Sequence, residues 1–99
     1  MRGADVVVRA LEEAGATHLF ALSGNQIMPI FDAVLGRPLQ AGLVHVRHEA
    51  AAVHAADAWG RLQRAPGVAL VTAGPGFANT LSALFVAQAA ESPLSLIHI

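Results

Sequence analysis

The sequence predicts an α/β protein, a three-layer αβα arrangement around a mostly parallel sheet that is truncated at its C-terminal end. Short apolar runs (Thr17–Leu22, Leu43–Val46, Val68–Thr72 and Leu94–Ile99) alternate with segments of helical period. The intervals between runs are long enough for crossover helices, so successive strands should lie parallel with right-handed connections. The third run, Val-Ala-Leu-Val-Thr, lacks polar alternation and so fits a strand covered on both faces.

Each element has a local cause. From Asp5 to Ala14, Val7, Ala10, Leu11 and Ala14 share one helical face and Arg9, Glu12 and Glu13 the other, with Gly15 as the stop. Thr17–Leu22 is a compact apolar strand. Ser23-Gly24-Asn25 is turn chemistry leading to Pro29, whose fixed φ suits the first turn of a helix through Leu35, and Gly36-Arg37-Pro38 ends that helix. Leu43–Val46 is the second strand, and an alanine-rich helix runs from Ala50 to about Gln63, closed by Ala65-Pro66-Gly67. After Val68–Thr72 the turn Gly74-Pro75-Gly76 leads to a helix from about Ala78 to Ala90, and Pro93 opens the fourth strand, Leu94–Ile99. The last strand has no following helix to cover it, so the chain reads as a fragment with a premature stop near Ile99.

Composition narrows the function. Ninety-nine residues make one domain at most, and 55% hydrophobic with 13% charged residues falls well below the usual charged share of about 25%. Something outside this chain is expected to cover part of its surface. A net charge of −1 offers no electrostatic footprint for nucleic acid or an anionic membrane. With no cysteine, disulfides and thiolate metal sites are excluded. No apolar run reaches the roughly 18 to 20 residues needed to span a bilayer. The N-terminal segment, carrying Arg9, Glu12 and Glu13, lacks an export signal, so a cytoplasmic location is expected.

Glu49 stands where the strand Leu43–Val46 gives way to the alanine-rich helix, placing a carboxylate at the sheet edge where open α/β folds bind ligands. An acid in a helix's first turn is also stabilised by the helix dipole, and on the residues alone both readings stay open. Gly74-Pro75-Gly76-Phe77-Ala78-Asn79 invites a dinucleotide-binding reading. Against it, Asn79 replaces the third glycine, Pro75 removes a backbone donor and no acid ends the next strand. A tight turn with Asn79 as the cap of the following helix is the structural alternative. His48 and His54 are six apart, on nearly opposite helical faces, which does not fit a zinc-protease motif; a site through His45, His48 and His54 would draw on a strand, its edge and a helix. Ser23 lacks the upstream glycine of a nucleophile elbow. Trp59 and Phe85 sit at core spacing and are expected to pack.

Arg47-His48-Glu49-Ala50-Ala51-Ala52-Val53-His54-Ala55-Ala56-Asp57-Ala58-Trp59-Gly60-Arg61 and Val71-Thr72-Ala73-Gly74-Pro75-Gly76-Phe77-Ala78-Asn79 together resemble the N-terminal pyrimidine-binding domain of thiamine-diphosphate enzymes of the acetolactate synthase group. The resemblance extends to Phe20 through Pro29 and Asp32 and covers most of residues 1–99. It implies a transferase or lyase acting on a 2-oxo acid or acyl-CoA by decarboxylation with carboligation or a related C–C cleavage. It further implies a homodimer or homotetramer, and Mg²⁺ held with the cofactor diphosphate by a domain absent from this sequence. The matching glutamate, Glu49, would hydrogen-bond N1′ of the aminopyrimidine and relay a proton there. Gly74, Gly76 and Asn79 would lie near the pyrimidine or at the subunit contact, and the loop Gly24-Asn25-Gln26 on the substrate side.

Departures bear on substrate and activity. Ser23-Gly24-Asn25-Gln26 replaces a loop in which family members often place proline before the glycine. The loop after the third strand carries no histidine, which fits carboligases and oxalyl-CoA-type lyases better than pyruvate- or benzoylformate-decarboxylase-like relatives. No Gly-Asp-Gly followed by Asn-Asn, the family's magnesium signature, occurs in residues 1–99. A non-catalytic α/β module kept for assembly or regulation is the alternative.

Overall fold

The computed structural model describes residues 1–98; Ile99, expected to end the fourth strand, lies outside the described residues. The elements are α1 (Gly3–Glu13), β1 (Leu19–Ala21), α2 (Met28–Val34), β2 (Leu43–His45), α3 (Glu49–Gln63), β3 (Gly67–Val71), α4 (Pro75–Ala78), α5 (Leu81–Ala89) and β4 (Leu94–His98). Short 3₁₀ turns at Asn25–Ile27 and Pro38–Gly42 complete the connections. The sheet is parallel throughout, in the order β2-β1-β3-β4.

Alternation along the two central strands builds two cores. Leu19 and Ala21 of β1, with Val68 and Leu70 of β3, meet Val8 of α1 and Ile30, Ala33 and Val34 of α2. On the opposite face Phe20 and Ala69 meet Ala52, Val53 and Ala56 of α3 and Ala83 of α5. That is the three-layer αβα sandwich, and every residue of β3 is buried, as its unbroken apolar run requires. Small residues set the spacing between α3 and β3. A β-carbon on Gly67 would collide with the backbone carbonyl of Ala56, and one on Gly60 would come within 2.6 Å of the Pro93 carbonyl oxygen.

The structure corrects four readings. In α1 the core-facing residues are Ala4, Val7, Val8 and Leu11, leaving Ala10 and Ala14 exposed. The third strand's turn passes into helix earlier than expected, at Pro75, and the helix then breaks at Asn79–Thr80 instead of running unbroken to Ala90. Asn79 therefore ends α4 and does not cap α5. Phe85 is 72% exposed on the outer face of α5, whereas Trp59 does pack, tilted against His18 at 3.9 Å between ring centroids.

Topology creates a crevice. From β1 the chain moves to β2 on one side of the sheet, then returns to place β3 on the other side of β1. The helix following β1 covers one face and the helices following β3 lead to the other. The connections leaving β1 and β3 thus diverge at their C-terminal ends, which is the switch point where open α/β sheets take ligands.

Candidate functional site

Three segments meet at this crevice: Ser23–Gln26 after β1, His48-Glu49 after β2, and Thr72–Asn79 after β3. Glu49 is the first residue of α3, half-buried, and its neighbour His48 is the N-cap, with Nδ1 accepting the Ala50 N–H at 3.0 Å. Ser, Thr, Asp or Asn usually takes that place, so nothing in the sequence marked His48 as a cap. His45, at the end of β2, is used similarly: its Nε2 accepts the Ser23 N–H at 3.2 Å and ties the loop after β1 to the neighbouring strand. Among the described residues, no group of three His, Asp or Glu side chains is placed to share a metal ion, and His54 stands exposed along α3.

The turn after β3 explains its glycines. Gly74 has φ +68°, a left-handed conformation that favours glycine. Gly76 is buried, and a β-carbon there would come within 2.8 Å of Thr72 Cγ2 and 3.4 Å of Glu49 Oε2. Its bare backbone is what lets the Thr72 side chain pack there, with the Glu49 carboxylate at contact distance. Past the end of α4, Asn79 stays exposed and its Nδ2 donates to Glu49 Oε1 at 3.1 Å. Glu49 Oε2 accepts no hydrogen bond among the described residues and faces the space beside Gly76.

Across the crevice, Gly24 lies against Thr72, and Thr72 Oγ1 donates to Gln26 Oε1 at 2.8 Å. Glu49, Gly76 and Asn79 are therefore brought together, Gly74 shapes the turn that carries two of them, and Gly24 and Gln26 join through Thr72. Asn25 is exposed in the same loop. Sequence reasoning gave Thr72 no site role, reading it as the end of a strand and as part of the family-like stretch that follows.

A further polar cluster holds α3 in place from behind. Asp57, buried in the middle of the helix, accepts two hydrogen bonds from Arg61, from Nε and Nη2, each at 2.8 Å. It also accepts the Ser92 hydroxyl from the turn before β4. The Arg61 guanidinium first, and then the Ser92 hydroxyl, hold the Asp57 carboxyl below the usual carboxylate range.

Fold and site together define a parallel α/β domain with a free carboxylate oxygen, an amide and a glycine turn gathered at its switch-point crevice. Residues 1–99 match the model of the family described as "Thiamine pyrophosphate enzyme, N-terminal TPP binding domain", and the chain belongs to that family. It is 46% identical over 95 residues to 2-hydroxyacyl-CoA lyase 2 of Caenorhabditis elegans, an alignment covering 96% of this chain and 14% of that protein. It is 41% identical over 93 residues to acetolactate synthase of Bacillus subtilis, covering 94% and 16% of the two chains. To the probable acetolactate synthase of Mycobacterium bovis it is 37% identical over 97 residues, covering 98% and 17%. The chain spans about one-sixth or one-seventh of the length of these relatives. No helix among the described residues is long and apolar enough to cross a membrane.

Proposed function

We propose that this chain is the pyrimidine-binding part of a thiamine-diphosphate-dependent carboligase or C–C lyase, and that Glu49 holds and moves the proton at N1′ of the cofactor's aminopyrimidine. The observation carrying this reading is the division of labour on Glu49. Oε1 is fixed by Asn79, while Oε2 stays available beside the bare backbone of Gly76. A half-buried carboxyl with one anchored and one open oxygen suits a ring nitrogen that shares a proton. The donor set therefore fits the group that the family implies. When bound, thiamine diphosphate supplies the carbon nucleophile and electron sink for the chemistry.

The chain's own residues divide the remaining tasks. Asn79 orients the carboxyl, Gly74 and Gly76 admit the flat pyrimidine against the backbone, and Gly24, Asn25 and Gln26 face the substrate. That substrate is a 2-oxo acid or an acyl-CoA; the name 2-hydroxyacyl-CoA lyase supports the second. Mg²⁺ and the diphosphate belong to a separate domain, brought to this site in a homodimer or homotetramer, and the enzyme works in the cytoplasm.

Glu49→Gln in the full-length protein tests the assignment. Glutamine can still accept from Asn79 but cannot relay a proton, and loss of such acid–base help lowers rate by about 10²- to 10⁴-fold. Deuterium exchange at the cofactor C2 position should fall accordingly, while thiamine diphosphate affinity changes much less. Near-wild-type exchange in Glu49→Gln would reduce Glu49 to a helix-terminal acid.

A further inference from the structure

Thr72 takes no part in the proton transfer assigned to Glu49, yet it is the residue around which the crevice closes. It stands at the C-terminal end of β3, half-buried, with glycine backbone on two sides. β-Carbons on Gly24 and on Gly76 would each come within 2.8 Å of its Cγ2. Its side chain is therefore confined, and so is the one side-chain hydrogen bond it makes among the described residues, donated to Gln26 Oε1 at 2.8 Å. A carboxamide has one acceptor end and one donor end. With the oxygen committed to Thr72, the amino group of Gln26 is the end left for a bound molecule. Gln26 is exposed at the same crevice, and Gly76 joins Thr72 to Glu49 across it.

We propose that Thr72 is a positioning residue that fixes the Gln26 carboxamide with its amino group outward, so that the site selects molecules presenting an acceptor oxygen, a carboxylate or a carbonyl, beside the cofactor ring. This deepens the functional reading above and rests on it. A 2-oxo acid and an acyl thioester both carry such an oxygen, and the two sources separate in the test.

The full-length protein, loaded with thiamine diphosphate, is titrated calorimetrically with oxamate, an unreactive 2-oxo acid mimic, and separately with acetyl-CoA. Thr72→Val keeps the shape between the two glycines and removes the donor. The loss of one hydrogen bond, about 0.5 to 1.5 kcal/mol, corresponds to roughly 2- to 13-fold weaker binding of whichever probe the site takes. Thr72→Ser should restore most of the affinity. Gln26→Glu keeps an acceptor for Thr72 but turns the outward donor into an acceptor, and should weaken oxamate by more than tenfold. Wild-type affinity in Thr72→Val, or in Gln26→Glu, overturns the proposal, as does binding of neither probe by a protein that holds thiamine diphosphate. Failure of the wild-type protein to bind thiamine diphosphate would instead strike at the functional reading itself. Thiamine diphosphate affinity, measured in the same variants, reports whether the fold around Glu49 is intact.

Discussion

Gly24→Ala is the smallest change that should force the crevice apart. The backbone at Gly24 is extended, with φ −169°, so alanine meets no conformational penalty and its effect is steric alone. The added β-carbon would lie 2.7 Å from Thr72 Oγ1 and 2.8 Å from Thr72 Cγ2, well inside the 3.4 Å at which ordinary contact begins. Rotating Thr72 gives no escape, because Thr72 Cβ, fixed to the backbone of the central strand, is among the colliding atoms. The loop after β1 must therefore retreat until the new β-carbon clears Thr72 Cβ, the nearest of the colliding atoms. Overpacking of this kind costs about 1 to 3 kcal/mol, and the Thr72–Gln26 hydrogen bond adds about 0.5 to 1.5 kcal/mol if the retreat breaks it. In a domain of 150 to 250 residues each kcal/mol lowers the thermal midpoint by roughly 2 to 4 °C. Differential scanning calorimetry of the full-length protein, beside calorimetric titration with oxamate, reads both consequences. An unchanged midpoint together with unchanged oxamate affinity would refute the packing argument. Gly36→Ala is the control: there φ is +76° with nothing within 4 Å, so it should cost stability through backbone strain and leave ligand affinity alone.

Two further outcomes follow from the same geometry. Asp57 has a carboxyl lowered by Arg61 and Ser92, so its contribution to stability is full above the unfolded carboxylate range and is lost as pH falls through the lower folded value. Asp57→Asn should then lower the unfolding midpoint near neutrality and flatten its acid dependence, measured by circular dichroism between pH 7 and the strongly acid range; a parallel shift at every pH would contradict the linkage. The chain of residues 1–99, expressed alone, should self-associate, because Leu81, Phe85 and Val86 are exposed on α5 and, among the described residues, the outer strands β2 and β4 are each paired on one side only. Sedimentation that showed a concentration-independent monomer would count against this.

Much of the architecture was legible because strand and helix periods are written locally. The unbroken Val68–Val71 run and the alanine-rich segment after Glu49 each specify an element without reference to the rest of the chain. Glu49 was legible for the same reason, as a carboxylate at a strand-to-helix boundary. What could not be read depends on contacts distant in sequence. Asn79 meets Glu49 across 30 positions of chain, and Thr72 meets Gln26 across 46. Phe85 illustrates the opposite error: helical spacing shows that residues share a face but not which face the sheet will cover. Strand order, which sets the switch point, is likewise a property of the assembled sheet.

The close approach of α3 to the sheet has a mechanical consequence. With the Ala56 carbonyl seated over Gly67 and Gly60 against Pro93, this helix cannot slide along its strands without backbone striking backbone, and Asp57 pins it again through Ser92. The loop after β1 is seated on a side chain instead, with Gly24 against Thr72, and is tied by the imidazole of His45 and the hydroxyl of Thr72. The crevice thus has one wall, bearing Glu49, seated backbone on backbone, and one, bearing Gln26, held through side chains.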